Sequence, residues 1–557
     1  MAPAKAAGFA AMMLRPVSVS TQRRRSASIS GTSTASGRMA AEADSGPVWA
    51  NRTAAAARPP SCSTFLREGV NIRSPSVDVS DARRRKDEES MLIPRVPSAL
   101  TEQVTDRPDI LVVMADQFRA MAIEPGGDPV ATPHLDRRAA DGCRVTQAVS
   151  SYPVCSPHRA MFLTGLRPEQ NGVTLNVHSE SAEDGVGLRD GVATWASVLR
   201  DAGYRTGYIG KWHLESPVPD DERFGEGRRD DGKVWDAWSP PERRFGFDFW
   251  HSYGAADRHL APHYWTADAG RDARVDVDAW SAEHEVDVAL DFLATPREEP
   301  YALMVSLNPP HQPFDQVPEC YRRLYADRTA EELLVRPNVP HGTAVAAEAE
   351  EIARDYFAAV TGVDEQIGRL AAAIEASGRP TVLLFTADHG MQLGSHGLLY
   401  KNVAHEESMR LPLIVHAPGI VPPGVCDATV SSLDFAPTIL GLAGLDAGTF
   451  PGHDRAPQLR GEAGAADDPV VYYRYASRSD PSSARGLRTP DAKLVATWHP
   501  DDGLSVEYCD LVADPYELHS RSDAPEAAHL ARALLAELAA GGDAWAGHAA
   551  LAATYAD

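Results

Sequence analysis

The sequence predicts an α/β protein with a central, mostly parallel sheet, helices on both faces of that sheet, and a smaller C-terminal α/β subdomain. Short apolar runs at residues 110–114, 301–307 and 381–385 are typical of buried strands. A long helical pattern at residues 347–376 separates the last two runs. Strands that alternate with helices favour a parallel sheet covered on both faces.

Polar residues follow each apolar run closely, as expected for a binding site in such a sheet. Ligands of open α/β sheets gather beyond the carboxyl ends of the strands. We therefore expect the three strand ends to meet at one site. The polar residues concerned are Asp116 and Gln117, residues 308–311, and Asp388 and His389.

The helical pattern is defined by apolar residues at spacings of three and four, which form one face of an α-helix. Such a stripe packs into the core, and we assign it no catalytic role. Its members are Ile352, Tyr356, Val360, Val363, Ile367, Leu370 and Ile374.

The beginning of the chain differs in composition from the rest. No acidic residue occurs up to Ala41, and residues 23–25 are all arginine. An acid-poor start rich in Arg and Ser is typical of a transit peptide. A disordered arm and an extended gene start, with Met91 as the true start, are alternatives. The case for a twin-arginine export signal is weaker, because no apolar stretch follows the arginines.

We divide the chain into three parts. We assign residues 1–105 to a disordered or transit-like segment, 106–445 to the main domain, and 446–557 to the C-terminal subdomain. In that subdomain we expect a strand at 493–498 and a helix at 527–540.

The charge and the apolar pattern exclude two classes of partner. The formal net charge of −24 argues against a protein that binds duplex nucleic acid, whose surface should be basic. No apolar run approaches 18 residues, so we expect no membrane span. With no secretion signal recognised, we expect a cytoplasmic location, with organelle targeting by the N-terminal segment left open.

Residues 155–159 read Cys-Ser-Pro-His-Arg, and Ala-Met-Phe-Leu-Thr-Gly follows. A lone cysteine is more often a small buried apolar residue. This longer stretch, however, resembles the signature of the type I sulfatases of the alkaline phosphatase superfamily, in which a maturation enzyme converts the cysteine to formylglycine. The resemblance implies an alkaline-phosphatase-like fold. It also implies that the hydrated aldehyde at Cys155 supplies the nucleophilic oxygen, and that Arg159 holds it.

The pairs Asp116-Gln117 and Asp388-His389 resemble the two metal-ligand pairs of this family. By itself, each pair is more often a helix cap or a turn. The resemblance implies one divalent cation, for which oxygen donors favour Ca²⁺ or Mg²⁺ and the imidazole leaves Mn²⁺ open. Many arylsulfatases have Asp-Asp and Asp-Asn, so Gln117 and His389 depart from that pattern.

Four further residues lie in segments that resemble family motifs. Lys211 and His213 belong to Gly-Lys-Trp-His, His311 to Pro-His-Gln-Pro-Phe, and Lys401 closes Gly-Leu-Leu-Tyr-Lys. The resemblance implies that Lys211 and Lys401 bind sulfate oxygens. It also implies that His213 holds the formylglycine and assists hemiacetal breakdown, and that His311 contacts or protonates the leaving oxygen. Asn176 matches an active-site asparagine found in part of the superfamily.

The resemblance spans residues 109–518, since Thr-Pro-His-Leu-Asp at 132–136 and Tyr-Cys-Asp-Leu at 508–511 also match. We therefore interpret residues 106–445 as a sulfatase catalytic domain. A sulfate ester is anionic, so its hydrolysis needs positive charge around the reacting group and an activated oxygen. The predicted substrate is a small-molecule or glycan sulfate monoester, and the predicted partner is a formylglycine-generating enzyme.

Two other functions stay open. A phosphonate monoester or phosphodiester hydrolase of the same superfamily resembles this chain in Gln117, His389 and Asn176, but typically has Tyr and Thr where this chain has Lys211 and His213. A non-catalytic scaffold or binding relative would be expected to lose the nucleophile or the ligands first.

Substrate preference should lie in the loops at residues 215–263, whose Trp235, Trp238 and Trp250 either stack on a substrate ring or pack locally.

Overall fold

The computed structural model describes residues 107–448 and 450–555, so the predicted N-terminal segment at 1–105 lies outside the described residues. The strands are β1 (Asp109–Ala115), β2 (Cys143–Val149), β3 (Arg205–Lys211), β4 (Phe249–Tyr253), β5 (His263–Thr266), β6 (Val275–Asp276), β7 (Tyr301–Leu307), β8 (Thr381–Ala387), β9 (Leu413–His416), β10 (Gly424–Ser431), β11 (Val470–Arg474), β12 (Ser483–Arg488), β13 (Ala492–His499) and β14 (Gly503–Asp510). The α-helices are α1 (Pro133–Asp141), α2 (Cys155–Thr164), α3 (Pro168–Asn171), α4 (Ser179–Glu183), α5 (Trp195–Asp201), α6 (Asp221–Phe224), α7 (Ser281–Ala294), α8 (Glu319–Arg322), α9 (Ala330–Leu333), α10 (Ala344–Ser377), α11 (Glu406–Met409), α12 (Phe435–Leu442), α13 (Ala456–Leu459), α14 (Pro525–Gly541) and α15 (His548–Thr554). No helix in the described ranges is both long enough and apolar enough to cross a bilayer.

The central sheet has ten strands in the order β10-β2-β9-β8-β1-β7-β3-β4-β5-β6. Its centre is parallel, because β1 pairs in parallel with both β7 and β8, and β7 pairs in parallel with β3. The antiparallel pairs of this sheet are β2 with β9, β8 with β9, β4 with β5, and β5 with β6. The predicted fold class is confirmed.

The three predicted strands are neighbours at the centre of this sheet. In β1, β7 and β8 every residue is buried, which explains their continuous apolar sequences. Since all three run in the same direction, their carboxyl ends lie at one edge. That edge carries Asp116, Asn308 and Asp388, each directly after its strand.

Two groups of helices cover the sheet. Helices α1 and α7 both pack on α10, and α2, α5 and α12 form the second group. The predicted helix at 347–376 is observed as α10, and its apolar stripe is buried except at its two ends, where Ile352 and Ile374 are half-buried. Asp364 on this helix accepts the backbone N–H groups of His134 and Leu135, at 3.1 and 2.7 Å, which ties the beginning of α1 to α10.

A second sheet in the order β11-β12-β13-β14 forms the C-terminal subdomain, with α14 packed on β12 and β13. The predicted strand and helix of this region are observed as β13 and α14. A buried ion cluster links β13 to α11: Lys493 Nζ lies 3.1 Å from Glu406 and 2.5 Å from Glu517, and Arg488 lies 2.8 Å from Glu406. Burial alone would raise the pKa of Glu406, but Arg488 and Lys493 outweigh it and lower that pKa well below its usual value.

We expect Lys493→Met to cost about 3–5 kcal/mol of unfolding free energy, because it leaves two buried carboxylates without this counter-ion. Urea unfolding at neutral pH measures the change. The lowered pKa of Glu406 also means that its stabilising effect is present above its unfolded-state pKa and is lost as the pH falls. Acidification should therefore destabilise the wild type more than the variant.

Lys233→Met is the matched control, since Lys233 pairs with Glu180 at the surface. That pair should contribute less than about 1 kcal/mol. Equal unfolding free energies for the two variants would show that the buried cluster does not stabilise the junction.

Candidate active site

Four predicted site residues meet at the carboxyl edge of the central sheet. Asp116, Cys155, Asp388 and His389 are buried, and one possible ligand atom from each lies within 4.8 Å of the others. The Cys155 Sγ atom is 3.4 Å from His389 Nε2 and 3.8 Å from Asp116 Oδ1. Cys155 is also the first residue of α2, where the helix dipole favours negative charge. An anionic oxygen at this position would be stabilised.

Arg159 lies one turn further along α2 and bridges the two carboxylates. Its Nε donates to Asp388 Oδ2 at 3.0 Å, and its Nη2 donates to Asp116 Oδ2 at 3.1 Å. Lys211, at the end of β3, donates to the same Asp116 oxygen at 2.7 Å. Burial alone would raise the pKa of Asp116, but Lys211, His311 and Arg159 hold it well below its usual value. The carboxylate is therefore ionised at neutral pH.

The remaining donor atoms suit a hard divalent cation. Asp116 Oδ1 and Asp388 Oδ1 each lie 3.5 Å from His389 Nε2. His389 Nδ1 is 2.9 Å from the carbonyl of Gly390, so the proton belongs on Nδ1 and the Nε2 lone pair faces the carboxylates. Burial lowers the pKa of His389, which keeps the ring neutral. Oxygens with one imidazole fit Ca²⁺, Mg²⁺ or Mn²⁺.

Gln117 and Lys401 face each other beside this cluster. Lys401 Nζ donates to Gln117 Oε1 at 2.5 Å, and the backbone N–H of Gln117 donates to Asp388 Oδ1 at 3.1 Å. Gln117 has a φ of 66°, and His213 has a φ of 53°. Such left-handed angles in non-glycine residues cost about 1–3 kcal/mol each and cluster at functional sites. Both residues were predicted site residues.

His213 leaves one nitrogen without a partner. Its Nε2 is 3.2 Å from the carbonyl of Val177, whereas its Nδ1 is buried and makes no hydrogen bond. Burial and the neighbouring Lys211 and Arg159 hold the pKa of His213 well below its usual value, so the ring is neutral. With the proton on Nε2, the Nδ1 atom is a buried acceptor that lacks a donor. A hydroxyl group in this site would satisfy it.

His311 follows β7 and is fixed through its other nitrogen. Its Nδ1 lies 2.8 Å from the carbonyl of Gln312 and 3.5 Å from Asp257 Oδ1. Its Nε2 is left for a ligand. Asn176 has a supporting position next to Cys155, since its Oδ1 accepts the backbone N–H of Ser156 at 2.9 Å and thereby holds the first turn of α2.

Sequence reasoning missed two residues of this site, Ser306 and Asp257, whereas it placed Asn308 among the polar residues that follow β7. Asn308 Oδ1 accepts from Lys211 Nζ at 3.1 Å, and Ser306 accepts from Arg159 at 2.7 Å. Ser306 lies within the apolar run that predicted β7, so its hydroxyl group was not singled out. Asp257 lies in the loop between β4 and β5, where no sequence signal marks it.

The three tryptophans of the 215–263 region have different surroundings. Trp250 is 2% exposed and packs on Tyr208 and Trp212, so it cannot stack on a substrate. Trp238 is half-buried and donates to the carbonyl of Ala269. Trp235 is also half-buried, and its ring centroid lies 5.8 Å from that of His213.

Comparisons with known proteins agree with this geometry. Residues 108–445 match the sulfatase family, and residues 394–542 match the C-terminal region of N-sulphoglucosamine sulphohydrolase. The chain is 37% identical to an endo-4-O-sulfatase of Bacteroides thetaiotaomicron, over 63% of this chain and 72% of that protein. It is 30% identical to an ulvan-active sulfatase of Formosa agariphila, over 78% of this chain and 80% of that protein.

Solved structures give the same result. One chain, from work on the metabolism of multiple glycosaminoglycans by Bacteroides thetaiotaomicron, superimposes with a TM-score of 0.73 and 32% identity. The match covers 81% of this chain and 99% of that chain. With its fold, its site and its relatives in agreement, the chain belongs to the sulfatase family and is a sulfuric ester hydrolase of alkaline-phosphatase-like fold.

Proposed function

We propose that this sulfatase removes a sulfate ester from a glycan, using a formylglycine made from Cys155 and one divalent cation. The observation that carries the proposal is the buried cluster of Asp116, Asp388 and His389 around the Cys155 side chain, with Arg159 bridging the carboxylates. A buried thiol in ordinary packing has no need of such surroundings. The glycan is suggested by relatives named as an endo-4-O-sulfatase and an N-acetylglucosamine-6-O-sulfatase.

Asp116, Gln117, Asp388 and His389 would hold the cation, most favourably Ca²⁺ given the oxygen donors. When bound, the cation would lower the pKa of a coordinated hydroxyl and so activate the nucleophile. Contacts within the protein orient the two aspartate ligands. Arg159 engages the Oδ2 atom of each aspartate and leaves the Oδ1 atoms turned toward His389 Nε2.

The cationic side chains would bind and orient the ester. Lys211 and Lys401 lie on either side of the ligand cluster, through their contacts with Asp116 and Gln117, and would take sulfate oxygens. Such fixed charges act strongly in a buried site, because water is excluded. His213 would accept a proton from the hydroxyl at position 155 through its unpartnered Nδ1 atom. His311 would face the leaving oxygen with Nε2.

The leaving group would lie toward Trp235. The Trp235 ring packs near His213 and near His178, whose ring centroid is 4.6 Å away. A half-buried indole offers an apolar face of the kind on which sugar rings stack. Its Nε1 donates to Asp231 at 2.9 Å, which holds the ring in place.

Mass spectrometry of the tryptic peptide 145–159 tests the cofactor, on protein co-produced with a formylglycine-generating enzyme. We expect a mass below that of the thiol peptide and a reaction with an aldehyde probe at Cys155. A peptide that stays fully thiol would refute the formylglycine. A panel of sulfated sugars, aryl sulfates and phosphonate monoesters then tests the substrate class. Faster turnover of the phosphonates would favour the phosphonate hydrolase alternative.

We expect Lys401→Ala to raise KM for a sulfate ester about tenfold and to change kcat less, because Lys401 would contribute one charged contact to the bound sulfate. Steady-state kinetics on a single ester measure both constants. Lys233→Ala removes a lysine that pairs with Glu180 instead and is the control. An unchanged KM in Lys401→Ala would remove this lysine from the sulfate site.

A further inference from the structure

Asp257 lies beside His311 and Asn308, and Asn308 in turn contacts Lys211. Asp257 lies in the loop between β4 and β5, and its Oδ1 atom is 3.5 Å from His311 Nδ1. The side-chain amide of Asn308 lies 3.4 Å from the same oxygen and donates to the carbonyl of Ala256 at 3.0 Å. Through Asn308 Oδ1 the contacts continue to Lys211. This carboxylate thus lies beside His311 and is linked to Lys211 through Asn308.

Arg229 holds this carboxylate from the other side. Its Nη1 donates to Asp257 Oδ2 at 2.7 Å, and its guanidinium also pairs with Glu226 at 2.8 Å. Burial alone would raise the pKa of Asp257, but His311, Arg229 and Lys211 hold it well below its usual value. Asp257 therefore carries a full negative charge at neutral pH. Its Oδ2 atom is occupied by Arg229, which leaves Oδ1 to face His311.

The surroundings of His311 define which nitrogen is available. The Nδ1 atom is engaged by the Gln312 carbonyl and adjoins Asp257, and His259 Nε2 is 2.8 Å from the His311 carbonyl oxygen. A ring held by carbonyl and carboxylate oxygens on Nδ1 keeps its proton there and presents Nε2 to the site.

We infer that Asp257 is a positioning residue that holds His311 with Nε2 toward the leaving oxygen, with Arg229 fixing Asp257 in turn. The inference rests on the proposed function. As the S–O bond breaks, its electron pair goes to the leaving oxygen, which takes the proton from His311 Nε2, and the sulfuryl group passes to the nucleophile. His311 ends as neutral imidazole. Asp257 keeps its charge and neither gains nor loses a proton.

The test compares two esters of similar shape whose leaving groups differ in basicity. Phenyl sulfate releases a basic phenolate that benefits from a proton, whereas 4-nitrophenyl sulfate releases a stabilised one. Asp257→Asn keeps the size of the side chain and its acceptor oxygen. We expect it to lower kcat for phenyl sulfate by about 30-fold or more and for 4-nitrophenyl sulfate by about threefold, with similar KM values, in the range of general acid catalysis.

Glu226→Gln is the matched control, because it removes the other carboxylate on Arg229 without facing His311. It should leave the ratio of the two kcat values unchanged. An equal loss on both esters in Asp257→Asn would overturn the inference, since a merely structural role lowers both alike. No loss on either ester would overturn it as well.

A double-mutant cycle with His311→Gln supplies a second readout that does not depend on comparing two esters. If Asp257 acts through His311, replacing Asp257 in the His311→Gln background should cost less than about twofold. Additive losses would contradict the inference. Failure of the proposed function would look different, because the wild-type enzyme would then lack the formylglycine or would hydrolyse none of the sulfated sugars and aryl sulfates of the panel.

Discussion

Cys155→Ala is expected to lower kcat/KM for any sulfate ester at least about 10⁴-fold, because it removes the cysteine that lies beside Asp116, Asp388 and His389 and would become the nucleophile of the proposed mechanism. The remaining cluster can still bind an anion, so KM should change much less than kcat. Steady-state kinetics with a sensitive aryl sulfate measure both constants on protein made with the maturation enzyme.

Cys509→Ala is the matched control, since Cys509 is a buried free thiol on β14 in the C-terminal subdomain. Its activity should stay within about twofold of the wild type. The Cys155→Ala protein should unfold at nearly the wild-type temperature, because the loss of one sulfur atom costs little burial. More than a few per cent of wild-type activity in Cys155→Ala would show that another group is the nucleophile.

Arg159→Met has the second largest expected effect, on both turnover and stability. Arg159 is 2% exposed and makes ion pairs with Asp116 and Asp388, at 3.1 and 3.0 Å. Removing one partner of a buried ion pair costs about 3–5 kcal/mol, because the other charge is left uncompensated. Turnover should fall about 10³-fold, as expected when a charge that stabilises the transition state is lost.

The response to calcium should separate the effect of Arg159→Met on stability from its effect on turnover. Without the guanidinium, the paired carboxylates repel each other, so a cation between them should raise the unfolding temperature more in the variant than in the wild type. Thermal unfolding with EDTA and with CaCl₂ measures this difference. Arg485→Met, which breaks the buried pair with Asp543, should lose stability without this calcium response or a loss of activity. Equal calcium shifts in all three proteins would argue against metal binding at Asp116 and Asp388.

Several features of the fold were predictable from local sequence. The strands β1, β7 and β8 are buried on both faces, so their sequences are continuous apolar runs that need no alternation. The long helix α10 repeats apolar residues with the helical period over many turns. Both signals lie within a few neighbouring residues, and tertiary context did not override them.

The predicted site residues also came largely from local signals. Asp116 and Asp388 directly follow their strands, and the parallel sheet brings such positions together. Trp250 shows the limit of this approach. Its sequence context suggested a loop aromatic, whereas the structure buries it on β4 against Tyr208 and Trp212, since only the folded sheet brings those rings together.

By itself, the sequence determined the fold class and the places of the main strands and of helix α10 along the chain, because these depend on periodicity. The candidate site residues from Asp116 to Lys401 were singled out by short motifs that resemble the sulfatase family. Only the tertiary structure decided which carboxylate oxygens face His389, which nitrogen of His311 is left for a ligand, and that Asp257 adjoins His311. These depend on side chains far apart in the chain, such as Arg229 and Asp257. Their mutual orientation is set by packing and by paired buried charges, which no local pattern records.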